Sequence, residues 1–80
     1  MAVVVSNIQD IDQVLIMNAD DHRHVMAELD ALRQQVVATI HRFDVTGFAA
    51  IMKDDYVALH ELEHRIAEMH RAHARAIEAL

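Results

Sequence analysis

Eighty residues with no cysteine, no proline and a single glycine describe one small domain that has no disulfide and few residues of the kind that punctuate β-turns. A formal net charge of −6, from 7 Lys and Arg against 13 Asp and Glu, argues against general nucleic-acid binding, which depends on neutralising phosphates. Met, Ala, Leu, Glu, Gln and Arg, all good helix formers, are frequent, and the expected fold class is all-α.

The chain opens on Met1-Ala-Val-Val-Val5, which is apolar but too short for a signal h-region and lacks a basic n-region. No later run approaches the roughly 20 apolar residues of a transmembrane span. No membrane association is expected, and the default location is cytoplasmic. Residues 1–6 are expected to be a flexible start. Ser6, followed three residues later by Gln9, forms a capping-box pattern, so helix one is expected over 7–43.

Along that helix, Ile8, Ile11, Leu15, Asn18, His22, Val25, Leu29, Leu32, Val36, Thr39 and Phe43 follow one another in alternating steps of three and four. Such a repeat sets helices against one another along a seam. Asn18-Ala-Asp20-Asp21 is its weak point, because Asn and Asp cap helices better than they continue them. The expectation is a helix continuous through this stretch, with a restart capped by Asn18 as the alternative.

Phe43-Asp-Val-Thr-Gly47, with an Asx-type residue and the sole glycine, places the turn at 44–47. Helix two is expected over 48–80, with Asp54 or Asp55 recapping it if the chain kinks near Ile51 and Met52. Its seam reads Met52, Tyr56 (or Asp55), Leu59, Leu62, Ile66, Met69, His73, Ala76 and Leu80. Two long antiparallel helices thus form a hairpin. Val14, Met17, Met26, Val37, Ile40 and Ile77 widen the apolar stripe beyond a two-stranded seam and ask for more helices. The expected solution is a homodimer forming a four-helix bundle, with a three-helix variant if helix one breaks near Asn18. The architecture resembles Rop-type hairpin dimers, with no shared motif.

With the hairpin centred near residues 45 and 46, His22 lies level with Met69, Asn18 with His73, Asp21 with His70 and Glu28 with Glu63. The open end then gathers polar groups in a seam. One reading is a buried polar layer that fixes register. The other is a metal site for zinc or iron, with Asp21, His22, His70 and His73 as ligands. Glu28, Glu61 and His64 form a second candidate set. Glu61-x-x-His64 resembles the Glu-x-x-His element of ferritin-like di-iron bundles, although the seam frame points Glu61 and His64 outward.

The hydroxyl side chains are confined to Ser6, Thr39, Thr46 and Tyr56, and no nucleophilic triad can be assembled from them. No glycine-rich phosphate loop occurs either. The function expected first is a small acidic protein–protein interaction or regulatory module (adaptor, chaperone-like or inhibitor) that self-associates, binds another protein, needs no cofactor and catalyses nothing. The alternative is the His/carboxylate metal-binding bundle, for storage, sensing or redox work. A third reading is a pH-responsive assembly, because seven histidines would move the formal charge from −6 to +1 if all were protonated.

Overall fold

A computed structural model describes residues 17–80. Helix α1 spans Ala19–Thr46, the single-turn α2 spans Phe48–Ile51, and α3 spans Lys53–Ala79. All the regular structure among the described residues is helical, and no helix among them is long and apolar enough to cross a membrane. The Ser6–Gln9 cap, the start at residues 1–6 and the first seam positions lie outside the described residues.

Helix one does not run through Asn18. Asn18 is extended (φ −83°, ψ 175°) and caps α1. Its Oδ1 accepts from the Asp21 backbone N–H at 2.8 Å, and Asp21 Oδ2 accepts in return from the Asn18 N–H at 3.2 Å. Each residue satisfies a donor that the first helical turn leaves without an internal partner. Asp20 and Asp21 also place negative charge where the helix dipole favours it. The polar stretch therefore starts a helix at Asn18, where a continuous seam had been expected.

Of the expected turn at 44–47 only Gly47 lies outside a helix, and the connection runs on through α2 to Met52. Helix α1 continues to Thr46, whose hydroxyl donates back to the Arg42 carbonyl at 2.6 Å. It stops at Gly47, whose φ of +77° is left-handed and favours glycine. After one turn of α2 the chain breaks again at Met52 (φ −114°, ψ 64°), and α3 begins without a side-chain cap. Asp54 and Asp55 lie in the first turn of α3.

Helices α1 and α3 pack against one another along their length, around a small core. Val36, Ile40 and Ile66 are buried, Ile66 completely, with Leu29, Tyr56, Leu59 and Leu62 packed against them. Ile40 was expected on a flank and Thr39 on the seam. Their roles are reversed, and Thr39 instead donates its hydroxyl to the Gln35 carbonyl at 2.9 Å. Fully burying one isoleucine is worth about 1.5–3 kcal/mol, so three such residues give a slender core.

Candidate functional site

Three features of the hairpin carry chemistry: a histidine pair at the open end, a polar clasp along one edge, and an apolar tip at the turn.

His22 enters from the first turns of α1 and is 3% exposed. Its Nδ1 lies 2.8 Å from His73 Nδ1 on α3, with ring centroids 5.1 Å apart and planes tilted by 53°. The separation is that of a hydrogen bond, in which one ring donates and the other accepts. His22 therefore meets His73 where Met69 had been expected, one helical turn further along. The extension of α1 to Thr46 and the inserted α2 shift the centre of the hairpin toward Gly47, which slides every level on α3.

The same slide separates the first candidate ligand set. His22 and His73 meet, but Asp21 is engaged with the Asn18 backbone and His70 Nε2 lies 3.3 Å from Asp30 Oδ1. His73, expected level with Asn18, is hydrogen-bonded to His22, and the Asn18 side chain to the Asp21 backbone. In the second set, Glu28 lies 3.3 Å from His24 and His64 lies 3.5 Å from Glu68, each along its own helix, while Glu61 is exposed. Glu63, expected opposite Glu28, accepts from Arg33 Nε at 2.8 Å. No three histidine or carboxylate side chains gather in metal-binding geometry among the described residues.

Three cross-helix pairs form the clasp: Asp30–His70, Arg33–Glu63 and Asp44–Tyr56. Their α3 members recur every seven residues and so share one stripe. Tyr56 donates its hydroxyl to Asp44 Oδ1 at 2.8 Å. That bond, with some desolvation and the adjacent carboxylate charge, raises the Tyr56 phenol above its ordinary 10.0. Leu32 and Met69 each precede a clasp residue by one position, about 100° round the helix. They line the other edge, 43% and 46% exposed.

At the tip, Phe43 packs edge-on against Phe48 (centroids 6.1 Å) and stacks with Tyr56 (6.3 Å), and this aromatic cluster props the α2 turn. Outside it, Val45 and Ile51 are 66% and 76% exposed, and Phe48, Met52 and Val57 are exposed as well. The 44–57 segment also carries Asp44, Asp54 and Asp55, with Lys53 its one cation. A shallow depression at the α2–α3 junction is lined by Ala50, Ile51, Met52, Lys53, Asp54 and Asp55.

Sequence reasoning missed this tip. Val45, Ile51 and Val57 lie off both seam rows, so the partner helix of a hairpin has no way to cover them; that was the available signal. Comparison with protein-family models, curated proteins and solved structures finds no match for this chain.

Proposed function

We propose that the protein is a small acidic helical interaction module, an adaptor, chaperone-like factor or inhibitor without catalytic activity, that self-associates and binds another protein. One observation carries this reading: three apolar residues are buried among the described residues, whereas nine large apolar side chains stay exposed. Exposed apolar surface of this extent on so small a domain marks contact surfaces. The clasp edge is occupied by polar pairs. The Leu32 and Met69 edge is the natural seat of a second copy, giving the four-helix bundle that the widened apolar stripe calls for.

Sedimentation equilibrium from micromolar to near-millimolar concentration tests self-association. The expected outcome is a mass above that of the monomer, lowered by Leu32→Glu with Met69→Glu. A monomer at every concentration that forms no complex with any protein at low salt would remove the proposal.

A further inference from the structure

We infer that His22 and His73 form a two-coordinate site for a cuprous ion, with both Nδ1 atoms as its ligands. The site lies at the open end of the hairpin and depends neither on self-association nor on a partner protein.

The two nitrogens already converge. They lie 2.8 Å apart, on rings tilted by 53° and carried by two different helices. A metal–imidazole bond is about 2 Å long, so an ion in line between them sets the nitrogens roughly 4 Å apart. The rings must then open by about 1 Å from the observed contact, which the half-buried His73 can supply by a small rotation.

The ion takes the place of the shared proton. In the hydrogen-bonded pair one Nδ1 carries hydrogen and the other accepts it. On binding, that hydrogen passes through solvent to Nε2 of its own ring. Both rings stay neutral, as ligating imidazoles must, and no net proton is released. The Nδ1 contact is the one hydrogen bond of either ring among the described residues, and no buried side-chain nitrogen or oxygen among them lacks a partner. Each Nε2 therefore reaches water, and its hydrogen is not stranded.

Ligand count and charge select the ion. Zinc is divalent and almost always four-coordinate, so it needs two further ligands here. Among the described residues no third histidine or carboxylate joins the pair. Asp21 is engaged with the Asn18 backbone, and Asp30 is paired with His70. A divalent ion would also bring an uncompensated double charge to a layer where His22 is almost completely buried. A cuprous ion carries a single charge, accepts imidazole, and is satisfied by two ligands in line. The chain has no cysteine, so no thiolate competes for it.

The test is an anaerobic titration of the full chain with cuprous ion, in competition with a chromophoric cuprous chelator. Silver(I), a redox-inert ion with the same preference for two ligands in line, serves as the probe for NMR of the imidazole nitrogens. Expected are one tightly held copper per chain and silver-induced shifts at Nδ1 of His22 and His73. X-ray absorption should show a shell of two nitrogens at about 2 Å and no sulfur.

His22→Leu with His73→Leu should abolish the tight binding. His73→Asn, which leaves His22 a polar partner, should abolish it as well, so the outcome does not hang on the folding of one variant; circular dichroism verifies each. His60→Ala with His64→Ala removes the exposed i,i+4 pair on α3 and should leave binding unchanged. The assignment is overturned if no copper is retained against the chelator, if sulfur enters the shell, or if zinc is held as tightly as copper. Binding that survives the loss of His22 and His73, or that disappears with His60 and His64, overturns it equally.

Discussion

His22 and His73 share one hydrogen bond, Nδ1 to Nδ1 at 2.8 Å, at a place where His22 has almost no access to water. The bond needs one nitrogen without a proton, so at least one ring is neutral. His22→Leu leaves the His73 nitrogen without its partner, an expected loss of about 1–3 kcal/mol in urea denaturation. His22→Leu with His73→Leu replaces both partners by apolar side chains and should cost much less than the single variant. A double variant that loses as much as the sum of the two single ones contradicts the account.

Asn18 is the residue that decides where α1 begins. Its side chain satisfies the Asp21 N–H, and Asp21 satisfies the Asn18 N–H. Asn18→Ala should cost about 1 kcal/mol in urea denaturation, with Asn18→Asp close to wild type, because Asp caps as well as Asn. Equal stability of all three proteins would mean that the cap contributes nothing.

Most of the architecture was legible because heptad periodicity and helix propensity both act locally. Leu29, Val36, Leu59, Leu62 and Ile66 fall on the seam where the repeat puts them. The pairing levels were not legible. They depend on how many residues the connection uses, and the chain inserts α2 and a break at Met52, a kink that the sequence offered only as an alternative, with no proline or second glycine to decide it. A slide of one turn is enough to bring His22 to His73 and to separate His70 from Asp21. The cap at Asn18 was visible as an alternative, since Asn-Ala-Asp-Asp supports a start as readily as a weak interior. What decided it was the reciprocal bonding of Asn18 and Asp21, which composition alone does not distinguish from solvation.

Ile66 is the one fully buried large side chain among the described residues, and it packs with Val36 and Ile40. Ile66→Ala removes its transfer energy and leaves a cavity, an expected loss of about 2–5 kcal/mol. Ile66→Val should cost only about 0.5–1.5 kcal/mol. In a domain with so slender a core the alanine variant should be largely unfolded at room temperature while the valine variant folds, a contrast that chemical denaturation measures. Similar losses in both would show that the core lies elsewhere.

Tyr56 and Asp44 tie the end of α1 to the start of α3, beside the tip. The carboxylate accepts the phenol hydroxyl and so favours the protonated form, which places the Tyr56 titration above 10.0. Because the folded-state value is raised, the stabilisation is fully present below 10.0 and is lost as pH rises through the folded value. Tyr56 is the only tyrosine, so an ultraviolet titration of phenolate reads it without interference. Asp44→Ala should bring the midpoint down toward 10.0, removing the acceptor and its charge together. A midpoint that does not move in this variant would show that the Asp44 bond does not hold the phenol. The tip would then rest on the Phe43 and Phe48 packing alone.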